Sequence, residues 1–306
     1  MFVLLFPGQG SQSPGMLQPW LDLPDARSSV ARWSELTGLD LLALGTTGTA
    51  EQVRDTAVAQ PLLTSAALLS ARALLAGGAG APDAVVGHSI GELPALAVAG
   101  VLTDDQAVEL AARRGAAMAQ AAAARPTGMS AVLGGDAEQV AAAVEAAGLQ
   151  VATVNVAGQV VVGGDREALD AFAAAGPKGA RVRPLDVAGA FHTRAMAPAR
   201  DALEQAVGAI APGQPRCTVH ANADGAAVAD GRELLTRLVA QLTGPVRFDR
   251  CLSALAASGA RRVVEVAPGG TLAAMAKRAL PDATIVALKG PDDLATAHDL
   301  VKGVAA

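Results

Sequence analysis

The chain opens on an apolar run, Met1–Phe6, which Pro7-Gly8 ends abruptly. This reads as a buried strand followed by a Gly-rich turn over Pro7–Gln12. Several helical segments follow. From about Pro61 to Ala76 apolar side chains occupy most faces, as a buried helix requires. Asp83–Val86 predicts a short strand ending at Gly87, and Ile90–Ala99 a small apolar helix. Asp104–Met118 is a second helix, with Asp104 and Asp105 placed in its first turn to complement the helix dipole.

The pattern changes near Arg125-Pro126-Thr127-Gly128. Met129–Leu133 reads as strand, Asp136–Ala147 as helix, and Val151–Val156 and Gln159–Val162 as two strands. Asp165–Ala175 is then helical and Ala180–Leu185 extended. This β-α-β-β-α-β order is ferredoxin-like, and it predicts a subdomain at 126–187 inserted in a larger domain made of 1–125 and 188–306. The alternative reading is that these units merely extend the main sheet. Beyond Ala188, Ala199–Ile210, Gly231–Leu242 and Leu272–Leu280 read as helices, and Arg262–Val266 as a strand. The alternation predicts an α/β fold with a mostly parallel sheet.

Composition narrows the function classes. Across 306 residues, a 51% hydrophobic and 17% charged composition excludes a disordered chain. A net charge of −5 argues against a general nucleic-acid binder, and an aromatic content of 2% against stacking platforms for bases. The apolar stretches are interrupted before about 18 clean residues, so no membrane span is expected. Two cysteines, Cys217 and Cys251, make no disulfide framework or metal spacing, and a reduced, cytoplasmic setting is expected.

The sharpest local signal is Val85-Val86-Gly87-His88-Ser89-Ile90-Gly91-Glu92. It is a G-x-S-x-G between strand and helix, the context of a nucleophile elbow. The glycines let strand and helix approach, the serine projects at the helix start, and the Ile90 N–H points into the same space. A second reading treats Ser89-Ile90-Gly91-Glu92 as a capping box, with the serine merely capping the helix. A serine nucleophile needs a base, and there are four histidines. His88 adjoins the serine but points elsewhere, His220 reads as structural, and His298 falls on a polar, surface-type helix. His192, in the small-residue stretch Val187–Thr193, is the remaining candidate.

Taken in order, these and further segments resemble the malonyl-CoA:acyl carrier protein transacylases, the acyltransferases of fatty-acid and polyketide synthesis. The matching segments are Phe6–Gln12, Ala59-Gln60-Pro61, Gly87–Glu92, Arg113-Arg114-Gly115, Asn155 with Gly158-Gln159-Val160, Gly189–Thr193, Gln241 through Val246, and Glu265 through Gly269. The resemblance implies an α/β-hydrolase-like core with a ferredoxin-like insert. It implies Ser89 as nucleophile, His192 as general base, and the backbone carbonyl of Gln241, in place of a carboxylate, orienting the imidazole. The N–H groups of Gln9 and Ile90 would form the oxyanion hole, where losing one donor typically costs about 10²–10³-fold in rate. Arg114 would hold the malonyl carboxylate in bidentate fashion, and Gln60, His88 and Asn155 would line the pocket. Phe191 falls where related acyltransferases favour malonyl over methylmalonyl.

The implied reaction is ping-pong transfer from malonyl-CoA to the phosphopantetheine thiol of an acyl carrier protein, with no metal or redox cofactor. The absence of flanking linkers favours a freestanding enzyme. Other readings are a serine thioesterase or hydrolase releasing malonate, a malonyl transferase serving a malonate decarboxylase complex, and an inactive carrier-binding scaffold. An acidic carrier would need a local basic patch, for which Arg181 with Arg183 and Lys277 with Arg278 are candidates.

Overall fold

The computed structural model describes residues 1–303. Among these described residues eleven strands form two sheets: β1 (Phe2–Phe6), β2 (Ala84–Gly87), β3 (Thr127–Gly134), β4 (Gln150–Val156), β5 (Gln159–Asp165), β6 (Ala180–Leu185), β7 (Thr218–His220), β8 (Ala227–Val228), β9 (Val246–Arg247), β10 (Arg262–Glu265) and β11 (Thr284–Ala287). The larger sheet runs β11-β10-β1-β2-β7-β8 and is parallel except for the short edge strand β8. The smaller runs β6-β3-β5-β4-β9, with its first four strands antiparallel and β9 parallel to β4.

Period-two alternation in β1 divides the core of the larger unit. Phe2, Leu4 and Phe6 pack with the helices of the first half of the chain, whereas Val3 and Leu5 face Phe248, Leu252, Leu272 and Ala276. The smaller sheet behaves likewise. Val132 and Val162 pack with Val140, Val144, Leu169 and Phe172 of helices Ala137–Ala146 and Arg166–Ala175. Met129 and Val161 face the other way, toward the larger unit's core.

The two sheets are separate, so 127–185 does not extend the main sheet. The smaller sheet nevertheless takes its fifth strand, β9, from outside the segment 126–187. That pairing joins Thr153 to Val246, far beyond what a local pattern reports.

Most helices fall where the pattern puts them, with shifted ends. The buried helix spans Thr56–Leu74, starting at the side-chain cap of Asp55 and carrying Pro61 inside it. With the wide turn to Ala79 it is long and apolar enough to cross a membrane, yet it is largely buried within the fold, packed against helix Asp104–Ala123. His298, expected on the surface, is half-buried: its Nε2 donates to the Leu74 carbonyl at 2.8 Å, and a side chain at Gly77 would collide with its ring. Glu265, wholly buried, accepts from the N–H groups of Gly270, Leu272 and Ala273 and so caps helix Thr271–Ala279.

Candidate functional site

Parallel pairing of β1 with β2 sets Phe6 opposite Gly87, so the loops leaving both carboxyl ends emerge side by side. The space between them closes only because of glycine. A Cβ on Gly8 would lie 2.6 Å from the His88 carbonyl oxygen, and one on Gly91 would strike the Phe6 carbonyl. Ser89 turns out of β2 with φ 55°, then a 3₁₀ turn over Ser89–Gly91 leads into helix Glu92–Ala99. Pro94 is the third residue of that helix, where its missing N–H costs no intrahelical bond. Among the described residues only three non-glycines have positive φ, and two are Ser89 and His192. Strain of this kind, about 1–3 kcal/mol each, concentrates where geometry serves function.

The serine does not cap its helix. Its hydroxyl donates to His192 Nε2 at 2.7 Å, across 103 residues of chain. The imidazole reaches it because Gly189 allows close approach to helix Asp104–Ala123, where a Cβ would stand 2.7 Å from Ala122 Cβ. His192 Nδ1 donates to the Gln241 backbone carbonyl at 2.9 Å, which fixes the tautomer that leaves Nε2 as acceptor. Gln241 caps helix Gly231–Ala240, so that carbonyl belongs to the helix's unpaired, partially negative end.

Arg114, 1% exposed, projects from helix Asp104–Ala123 into the same point. Its Nη1 donates to Gln60 Oε1 at 2.8 Å, and its Nη2 to Gln241 Oε1 at 2.9 Å and to Ser89 Oγ at 3.2 Å. Its Nε has no partner among the described residues. The guanidinium is thus buried among neutral acceptors at the wall of the cavity. His88 Nε2 donates to Asn155 Oδ1 at 2.9 Å and its ring packs edge-on against Phe248. Gln9, Ile90, Gln60, Asn155 and Phe191 all line the same cavity of about 810 Å³, which lies between the two sheets. Every site residue expected from the sequence is therefore gathered at one place.

Three contributions escaped sequence reasoning. Asn222, just past β7, accepts the Ser89 N–H on Oδ1 at 2.8 Å and donates from Nδ2 to the Gly87 carbonyl at 2.7 Å. It stands just past the carboxyl end of the strand that pairs with β2, a neighbourhood that only the fold creates. Glu92, read only as a capping partner, accepts the Asn222 N–H on Oε1 at 2.7 Å and Gln241 Nε2–H on Oε2 at 2.6 Å. The side chain of Gln241, as well as its carbonyl, belongs to the site.

Electrostatics follow from burial. Burial, then the charge of Arg114, hold the His192 imidazole down at about 3, against the upward pull of the Gln241 carbonyl. His88 is likewise lowered by burial, offset in part by Asn155. Burial lifts the Glu92 carboxyl to about 7, with the Asn222 N–H, Arg114 and Arg237 pulling it back. Burial also lowers Arg114 to about 10, while Glu92 supports its charge.

Known proteins share this architecture. The family model described as an acyl transferase domain matches residues 2–299. A malonyl CoA-acyl carrier protein transacylase of Mycobacterium tuberculosis is 49% identical over 300 residues, covering 96% of this chain and 98% of its own. The crystal structure of MCAT from that organism superposes with a TM-score of 0.95 at 47% identity, over 97% of this chain and 99% of that one. A malonyl-transacylase solved in complex with a type II PKS acyl-carrier protein superposes at 0.90 with 33% identity, over 97% and 99%. Matched from end to end and close to half identical to such a relative, the chain belongs to the acyl transferase family, among its malonyl-CoA:acyl carrier protein transacylases.

Proposed function

We propose that the protein transfers a malonyl group from malonyl-CoA to the phosphopantetheine thiol of an acyl carrier protein, through a malonyl ester on Ser89. The observation that carries this is a single hydroxyl held by two groups: His192 Nε2 at 2.7 Å and Arg114 Nη2 at 3.2 Å. The first takes the proton as Ser89 attacks the thioester. The second recognises a carboxylate close to the attacked carbonyl. Malonyl has one methylene between its two carboxyl carbons, the spacing such a near pair of groups demands, and a longer diacid overshoots it.

The N–H groups of Gln9 and Ile90 stabilise the tetrahedral oxyanion, and coenzyme A departs with the proton from His192. The carrier thiol then gives its proton to His192 and attacks the ester carbonyl, the bond to Ser89 Oγ breaks, and His192 returns the proton to the serine. Backbone dipoles carry the developing charge, so no step calls for a metal or redox cofactor. The helix end at Gln241 does the orienting that a triad carboxylate does elsewhere, and it leaves the base weakly tuned. The malonyl carboxylate compensates: on pairing with Arg114 it offsets the charge that depresses His192, so the base strengthens when the right acyl group is present. Phe191 beside His192 crowds the substrate's α-carbon and disfavours methylmalonyl. A reducing cytoplasmic setting suits this chemistry. The exposed edge strand β6, carrying Arg181 and Arg183, is a cationic face for an acidic carrier.

Intact mass spectrometry after mixing with malonyl-CoA tests the scheme. Wild type gains one malonyl adduct, Ser89→Ala gains none, and added holo carrier takes the label from the enzyme. Free malonate released equally fast with and without carrier would make the protein a hydrolase instead.

A further inference from the structure

We infer that Glu92 is a positioning residue for acyl-group selection, setting the malonyl-recognising state of Arg114 through the side-chain amide of Gln241. This rests on the reading that Arg114 receives the malonyl carboxylate.

Three charged or polar groups stand in line. Arg114 Nη2 donates to Gln241 Oε1 at 2.9 Å, and Gln241 Nε2 donates to Glu92 Oε2 at 2.6 Å and to Asn222 Oδ1 at 3.1 Å. The amide therefore lies between a guanidinium and a carboxylate, with its oxygen toward the cation and its nitrogen toward the anion. Turning it over would set Nε2–H against the guanidinium N–H and Oε1 against both the carboxylate and the Asn222 oxygen. Glu92 and Asn222 thus permit one amide orientation, and that orientation gives Arg114 its acceptor.

Glu92 is locked in turn. Its other oxygen takes the Asn222 backbone N–H at 2.7 Å, and the side chain is 8% exposed. Two donors meet its two oxygens, so only a carboxylate satisfies both. In Glu92→Gln one donor necessarily faces the new NH₂. If the substituted side chain keeps the Asn222 N–H on its remaining oxygen, the new NH₂ confronts Gln241, whose amide turns over and presents a donor to Arg114. The guanidinium then leaves the geometry that receives a carboxylate, while the Gln241 backbone carbonyl still holds His192.

The experiment measures kcat/KM for acylation of Ser89 by malonyl-CoA and by acetyl-CoA, and takes their ratio, from which any loss of folded enzyme cancels. Wild type, Glu92→Gln, Gln241→Met and Arg114→Ala are compared. Gln241→Met cuts the same relay from its other side should Glu92→Gln fold poorly. Glu92→Gln and Gln241→Met are expected to lower the malonyl-to-acetyl ratio about tenfold, and Arg114→Ala by more. An unchanged ratio in Glu92→Gln beside a collapsed ratio in Arg114→Ala overturns the role of Glu92, whatever Gln241→Met does, since that variant also removes the acceptor of Arg114 itself. An unchanged ratio in Arg114→Ala removes Arg114 from carboxylate recognition, and the inference with it.

Discussion

At the scale of residues, the site reverses the order in which an imidazole and a carboxyl ordinarily titrate. His192 is held near 3, so it stays a neutral base throughout the range of about pH 5 to 8. Glu92, lifted to about 7, gains a proton as pH falls through neutrality. The charged and titratable groups facing it are Arg114 from helix Asp104–Ala123, Arg237 from helix Gly231–Ala240, and the Cys251 thiol from helix Phe248–Ala257. Burial holds that thiol well above its usual value, so it does not titrate in this window. Protonating Glu92 replaces an acceptor with a donor at the Gln241 amide. Malonyl kcat/KM is therefore expected to fall on the acid side with a midpoint near 7, and the limb to vanish in Glu92→Gln. A limb near the ordinary histidine value of about 6.5 that survives Glu92→Gln in the measured pH profile would return the titration to His192.

At the scale of elements, the elbow depends on two backbones touching. Gly91 has ordinary helical geometry, so its need is for space: a Cβ would strike the carbonyl of Phe6, the last residue of β1. Gly148, with φ +68° and open space around it, carries only conformational strain. Gly91→Ala is expected to destabilise by about 3 kcal/mol in urea titration and Gly148→Ala by about 1 kcal/mol. Equal costs would mean that the elbow has room to relax. The elbow was legible because strand, serine and helix are consecutive in the chain. What Ser89 and Glu92 do was ambiguous for the same reason: S-x-x-E fits a cap locally, and the true partners of Glu92 lie 130 and 149 positions away. No short window contains them. Comparing the four histidines made His192 a candidate and the resemblance gave it its role and added the Gln241 carbonyl, but Asn222 and the Gln241 amide needed the fold. Helix Phe248–Ala257 was a plainer omission, since Phe248, Cys251, Leu252 and Leu255 recur at helical spacing and are all buried.

At the scale of the whole molecule, the cavity is a seam between two sheets that share structure. Strand β9 crosses over to pair with β4, and Val156 of β4 packs in the core formed by Phe248, Leu252 and Leu272. His88 on the elbow donates to Asn155 on β4, and a Cβ on Gly163 of β5 would press on Ala190 and Thr193, close in sequence to His192. The smaller sheet thus supplies one wall of the site and borrows a strand and part of its core from the larger unit. Separate unfolding would strip both. A single cooperative transition is expected, and the chain carries its own probes for it. Its two tryptophans, Trp20 and Trp33, are buried in the larger unit, and there is no tyrosine. Tryptophan fluorescence therefore follows the larger unit alone, whereas far-UV circular dichroism follows both. The two thermal midpoints are expected to agree within about 1 °C. A dichroism transition that precedes the fluorescence change would mean that 127–185 unfolds by itself. The wall around Asn155 would then be an independent body, docked against the serine rather than built with it.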